Sequence, residues 1–287
     1  MILSASRRTD IPAFFCEWFF RRIEEGFALV KNPMNPAQIR KVPMSKDDVD
    51  CIVFWTKNPA AMISDLEKLS GYNYYFQFTI TPYANDMEPG LPAKEEIIET
   101  FKRLSNMLGA HRVIWRYDPV LVNAQYGENR HIESFAAMAK SLSGFTEKCV
   151  ISFVDTYPKM LRRMEGSGPY ELSLEAKLEM AKAFAKAAGE NSICVEACTE
   201  EVDFSGCGIG KTKCIDGQLA ERIAGRPVAA KKDRSQRKEC GCAASMDIGA
   251  YNTCLHGCLY CYANSAGRPS VMKTLQNHDK LSPFLIV

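Results

Sequence analysis

"YYFQFTITPYANDMEPGLPAKEEIIETFKRLSNMLGAHRVIWRY", residues 74–117, decides the fold. It opens with "YYFQFTI" and closes with "RVIWRY", short runs of aromatic and β-branched residues that suit strands. Between them Ile97, Phe101, Leu104 and Leu108 recur at i, i+4, i+7 and i+11, the apolar stripe of a helix. Strand, helix and strand in that order make a crossover unit, which joins parallel strands. The same texture continues outward on both sides. "MILSAS" (1–6), "DCIVFWT" (50–56), "CVISFVD" (149–155) and "SICVEA" (192–197) read as four more strands. Leu174, Leu178, Ala181 and Ala185 mark another helix face. The strands are almost wholly apolar, as required when helices cover both faces of a sheet. "SMDIGAY" (245–251) and "PFLIV" (283–287) are candidates for a seventh and an eighth strand.

Seven or eight such units predict an α/β chain forming a (β/α) TIM-like barrel, complete or partial. A doubly wound open sheet is the alternative. Residues 1–287 are expected to form a single domain, with a cysteine-rich segment at 198–242 and a cysteine loop at 252–264. Asp10-Ile11-Pro12 and Asn58-Pro59 carry helix-start signals, a capping side chain ahead of a first-turn proline. "ALVKNPMNPAQIRKVPM" (28–44) reads as an inserted hairpin, and "KKDRSQRK" (231–238) as a solvated basic loop.

The formal net charge of +2 gives no footprint for bulk nucleic-acid binding or for an anionic membrane. The N-terminal residues lack the basic and apolar regions of a signal peptide, and no window approaches the ~18 apolar residues of a membrane span. A cytoplasmic location is expected. Stable disulfides are then not expected among the twelve cysteines. Cys16, Cys51, Cys149 and Cys194 sit singly in apolar patterns and read as core. Cys198, Cys207, Cys214, Cys240, Cys242, Cys254, Cys258 and Cys261 crowd the last third.

In a parallel α/β architecture the C-terminal strand ends share one face, and that face carries the site. Those ends supply Arg7, Arg8 and Asp10, then Lys57, then Arg116 and Asp118, then Asp155, then Glu196. These are the catalytic candidates. The guanidinium groups suit a carboxylate or phosphate. His111 and His131 read as surface or capping residues, and Trp55 and Trp115 as core. No Ser-His-Asp order, dinucleotide-binding glycine motif or phosphate-binding loop appears. The glycines around Cys207 do not make one.

"CLHGCLYC" places Cys254, Cys258 and Cys261 within eight residues. A zinc site normally draws on two separated pairs, and would here need a further ligand such as His256. A disulfide leaves an odd cysteine. A catalytic thiol needs one cysteine and a base. An iron–sulfur cube fits better, because each of three irons takes one thiolate and the fourth stays open.

C-x3-C-x2-C with Tyr260 just before the last cysteine resembles the signature of the radical S-adenosylmethionine superfamily, and "CLHGCLYCYA" is similar to its spore photoproduct lyase branch. The resemblance implies a [4Fe–4S] cluster on Cys254, Cys258 and Cys261, with S-adenosylmethionine on the open iron and Tyr260 against its adenine. It implies reductive cleavage of that cofactor, hydrogen abstraction from an unknown substrate, and an electron donor such as flavodoxin or ferredoxin. The loop comes late in this chain, so the barrel is expected to be circularly permuted, with "MDIGAY" as the superfamily's first strand. No Gly-Gly-Glu motif is present. Ser4 and Arg7, with Arg8 and Asp10, stand in roughly its place as cofactor-binding candidates.

The full length is also similar to a bacterial family known only as a domain of unknown function. That likeness rests on "SASRRTDIP", "FWTKNP", "WRYDP" and the ending "CGCAASMDIGAYNTCLHGCLYCYA". Many radical enzymes hold a second cluster. Cys198, Cys214, Cys240 and Cys242 are the candidates for one, with Cys207 as a substitute and zinc as the rival metal. A non-catalytic metal-stapled protein and a nucleic-acid repair lyase remain the other functional readings.

Overall fold

The structure is a computed structural model that describes residues 1–265 and 267–287. The elements run β1 (Ile2–Ala5), α1 (Ile11–Phe14), α2 (Cys16–Glu25), β2 (Phe27–Asn32), β3 (Asn35–Pro43), β4 (Cys51–Thr56), α3 (Ala60–Ile63) and β5 (Tyr74–Thr79). They continue with α4 (Lys94–Leu108), β6 (Val113–Val120), α5 (Glu128–Ser141), β7 (Lys148–Phe153), α6 (Pro158–Arg163), α7 (Leu174–Gly189) and β8 (Cys194–Ala197). The last are β9 (Gly210–Lys211), α8 (Gly217–Ala224), β10 (Ser245–Asp247) and α9 (Arg268–Leu275).

Eight strands form one sheet in the order β10–β1–β4–β5–β6–β7–β8–β9. The pairs of β1 with β10 and β4, and of β7 with β6 and β8, are parallel. This is the α/β architecture the alternating sequence predicts. β1, β4 and β5 are buried along nearly their whole length, which is why their sequences do not alternate with polar residues. The inserted hairpin is β2 paired antiparallel with β3. "PFLIV" is not a sheet strand. Phe284 makes only an isolated bridge to Leu29 of the hairpin, and the two-residue β9 takes the eighth place.

The chain divides into two compact units. The first comprises Met1–Phe76, Ile215–Asp233 and Ala243–Val287. Its core is aromatic: Phe19 packs edge-on to Phe54, which stacks on Phe76 with centroids 4.7 Å apart. Asp10 caps α1 by accepting from the Ala13 amide at 3.0 Å, with Pro12 in the first turn. Gly26 ends α2 at φ 77°, a left-handed position that any Cβ would strain, and its amide bonds back to the Arg22 carbonyl.

The second unit comprises Gln77–Cys214 and Arg234–Cys242. Trp115, Phe135 and Phe184 stack in series, with Tyr117 packed edge-on against the last two. In α4 the predicted stripe holds, and Ile97, Phe101 and Leu104 are buried. Full burial of each such side chain contributes about 1.5–3 kcal/mol. α7 differs. It buries Met180, Ala181, Phe184 and Ala188, while Leu174 is exposed, because the buried face is set by Phe184 rather than by the leucines. His131 is not a surface histidine. It is fully buried, bonded to the Tyr117 hydroxyl and the Leu121 carbonyl. Cys194 is exposed rather than core. Among the described residues no helix is long and apolar enough to cross a membrane.

Candidate functional site

In the first unit, parallel register pairs Ser4 with Asp247, so β1 and β10 end on the same side. The segment after β1 and the cysteine loop after β10 therefore start side by side. Asp247 ties them together. Its carboxylate accepts from Ser4 Oγ at 2.8 Å, Ser6 Oγ at 2.6 Å, the Arg7 amide at 2.9 Å, Arg8 Nε at 3.0 Å and the Gly249 amide at 3.0 Å. One carboxylate thus organises two strand ends, and its charge is spread over donors from both. Arg8 also donates to the Asp247 carbonyl at 2.8 Å. Ser4 and Arg8, expected to face a ligand, are taken up by this knot. Asp247 itself was invisible as a site residue, because a lone aspartate at a strand end carries no motif.

Gly249 explains the tightness of the knot. A Cβ there would sit 2.0 Å from Ser6 Oγ and 2.6 Å from Ser6 Cβ. Only a residue without a side chain lets the β10 exit lie against the β1 exit.

Asp10 does a second task beyond capping. Its Oδ2 accepts from the Lys57 amide at 2.7 Å and from His256 Nε2 at 2.8 Å. His256 lies between Cys254 and Cys258, so this bond fastens the loop to the start of α1. Phe14 packs on the imidazole with centroids 4.7 Å apart. Tyr262 donates to the Arg7 carbonyl at 2.6 Å, a second strap that the sequence did not suggest. Tyr260 is buried, with Lys57 Nζ 5.5 Å from its ring centre. The Arg7 guanidinium lies 5.3 Å over the Trp55 ring, and Trp55 is only half-buried, so it forms a platform here rather than core.

Cys254, Cys258 and Cys261 are not joined in disulfides. Burial, then the charges of Asp10, Cys261 and Cys258, push the Cys254 thiol well above the ordinary range. Among the described residues no group of three or more His, Cys, Asp or Glu side chains is placed to hold a metal ion. Among the described residues, Arg7 Nη2 and Thr9 Oγ1 next to the loop and His256 Nδ1 within it are buried without a hydrogen-bond partner.

The second unit gathers a separate constellation. Cys198, just after β8, and Cys214, just after β9, bring their sulfurs within 3.2 Å. Cys242 shares a hydrogen bond with Cys214. Arg116 Nη1 donates to Cys214 Sγ at 3.0 Å, while Asp118 accepts from Nε at 3.1 Å and from Nη2. Ser152 donates to the other Asp118 oxygen. Burial opposes the Arg116 charge, but Cys214, Asp118 and Cys198 hold its pKa well above the usual guanidinium range. Cys240 is buried two residues before Cys242. Cys207 turns away, 3.8 Å from the Leu178 carbonyl.

The remaining strand-end residues disperse. Asp155 is exposed and paired with Arg237 at 2.6 Å. Glu196 pairs with Lys148, the first residue of β7 and so at the opposite strand end. Glu200, unremarked in the sequence, accepts from the Phe153 amide at 2.7 Å, and burial pushes its carboxyl up to about 7.

No curated protein and no solved structure matches the chain. The family model of the domain of unknown function DUF1848 matches residues 2–263, and the chain belongs to that family.

Proposed function

We propose that the chain is a radical S-adenosylmethionine-type enzyme, with Cys254, Cys258 and Cys261 holding a [4Fe–4S] cluster. The observation that carries this reading is the set of unpartnered buried atoms, Arg7 Nη2, Thr9 Oγ1 and His256 Nδ1, in the two segments that Asp10 and Asp247 bind together. A buried donor or acceptor without a partner costs about 1–3 kcal/mol. Their place in the cysteine loop and in the segment bonded to it fits a site that is completed by a polar ligand.

The donor set also fits the cluster. Thiolates on a cube each take a separate iron, so they need not converge on one point. A single zinc ion would require that convergence. When held by Cys254, Cys258 and Cys261, such a cluster would supply the reducing electron for cleavage of S-adenosylmethionine and hence for hydrogen abstraction from a substrate. The chain's own residues do the rest. Arg7, braced on Trp55, offers a guanidinium edge to a carboxylate. Tyr260 supplies a buried ring within the loop. Asp10 fixes His256, and the Asp247 knot fixes the backbone from which Arg7 and Thr9 project. An external one-electron donor of the flavodoxin or ferredoxin kind completes the system.

The sheet order supports the finer fold reading. With β10 counted first, the strands β10, β1, β4, β5, β6, β7 and β8 follow one another without a crossing. That is the order of a (β/α) barrel, whole or partial, whose chain has been permuted so that its first strand comes last.

Anaerobic reconstitution with iron and sulfide, then reduction with S-adenosylmethionine present, is the test. The reading expects 5′-deoxyadenosine, lost in Cys258→Ala with the circular dichroism unchanged. A fully loaded, reduced protein that yields none overturns it and leaves a non-catalytic iron–sulfur protein.

A further inference from the structure

We propose that Cys198, Cys214 and Cys242 form a second, thiolate-ligated metal centre seated against Arg116, within the unit made of Gln77–Cys214 and Arg234–Cys242. The three thiols come from separate segments: the exit of β8, the exit of β9 and the end of the 234–242 loop. Yet Cys198 and Cys214 approach to 3.2 Å, and Cys214 shares a hydrogen bond with Cys242. Cys214 and Cys242 are each 4% exposed, and none of the three cysteines is in a disulfide.

A thiol is a weak donor and a weak acceptor, so a chain of three stabilises a buried site poorly. The surroundings are far better organised than such a chain warrants. Arg116, itself 5% exposed, aims Nη1 at Cys214 Sγ from 3.0 Å. Gln77 Oε1 accepts from the same nitrogen at 3.3 Å, while Gln77 Nε2 donates to the Cys214 carbonyl at 2.8 Å. Asp118 holds the other edge of the guanidinium. An N–H donor fixed on a sulfur by a rigid outer layer suits a thiolate that carries metal-bound charge, and such bonds orient and tune metal-bound ligands.

The present sulfur spacing is that of hydrogen-bonded thiols, and among the described residues no group of three or more metal-ligating side chains is already placed around an ion. Zinc–sulfur bonds of about 2.3 Å in a tetrahedron keep sulfurs about 3.8 Å apart. Binding therefore releases the thiol protons and parts the sulfurs by roughly half an ångström, a side-chain movement. Cys240, buried and two residues before Cys242, is the remaining donor on that segment. Thiolates select zinc or iron with sulfide.

The residues of this centre are separate from those of the proposed radical site, so the test does not use activity. The full chain carrying Cys254→Ala, Cys258→Ala and Cys261→Ala is purified anaerobically. It is loaded in one arm with zinc and in another with iron and sulfide. The expected result is about one zinc or about two to four irons retained per chain, falling at least tenfold when Cys214→Ser is added. Because these variants can misfold, alkylation of the wild-type chain is mapped in parallel by mass spectrometry. Metal should shield Cys198, Cys214 and Cys242 together, and a chelator should expose them together. Metal-free protein in both arms, with the three thiols alkylated equally with and without metal, overturns the proposal.

Discussion

His256 Nε2 lies 2.8 Å from Asp10 Oδ2, with side chains only 4% and 5% exposed. A carboxylate can only accept, so Nε2 carries the hydrogen and a neutral His256 keeps its lone pair on Nδ1. The same carboxylate caps α1 and takes the Lys57 amide. Asp10→Asn turns one of these acceptors into a donor facing a donor. It should destabilise the chain by about 2–4 kcal/mol. Urea unfolding of the anaerobic protein measures it. A loss below 0.5 kcal/mol would show that the pair is incidental.

Gly249→Ala tests the knot around Asp247. The added methyl would stand 2.0 Å from Ser6 Oγ, so one of the two strand ends must move. The expected cost is about 1–3 kcal/mol, as for overpacking generally. Ser6→Gly should recover part of it, because it removes the atoms struck. Equal destabilisation of the single and double variants would place the strain elsewhere.

Arg7→Ala should weaken S-adenosylmethionine binding while leaving cluster loading intact. A charge-assisted bond to a carboxylate contributes about 1.5–3 kcal/mol, which is roughly a 10- to 150-fold rise in Kd. Anaerobic equilibrium dialysis against the reconstituted protein gives the number. Unchanged affinity would remove Arg7 from the cofactor site and return it to packing on Trp55.

The fold was legible because burial on both faces leaves a parallel strand no polar alternation, and β4, β5 and β7 say so in their residues. β9 was not, since Gly210-Lys211 is too short to carry a pattern and is recruited by Glu196 and Ala197 of β8. "PFLIV" misled for the converse reason, since its apolar run serves the hairpin instead. The cysteine loop announced itself by spacing. Cys198, Cys214 and Cys242 could be grouped with Cys240 only from their crowding in the last third and the resemblance, because irregular spacing does not say which of them meet in three dimensions. Asp247 acts on side chains and backbone of β1 and the segment after it, Tyr262 on the Arg7 carbonyl, and no local sequence signal marks such a partner.

His131 gives the fold a defined pH dependence. Its Nε2 donates to the Leu121 carbonyl and its Nδ1 accepts from the Tyr117 hydroxyl, each at 2.9 Å, so the imidazole is held neutral. Burial pushes its pKa down to about 4, against about 6.5 in an unfolded chain. The folded state therefore binds the proton less well than the unfolded state. Its contribution is intact above pH ~6.5, declines as pH falls toward ~4 and levels off below that. The whole step is about 3 kcal/mol. His131→Gln should lower stability at pH 7, since it breaks two buried hydrogen bonds, yet flatten the decline between pH 6.5 and 4. Urea midpoints of both chains across that range give the difference directly, with every other titrating group cancelling. Parallel curves would show that His131 already protonates inside the fold.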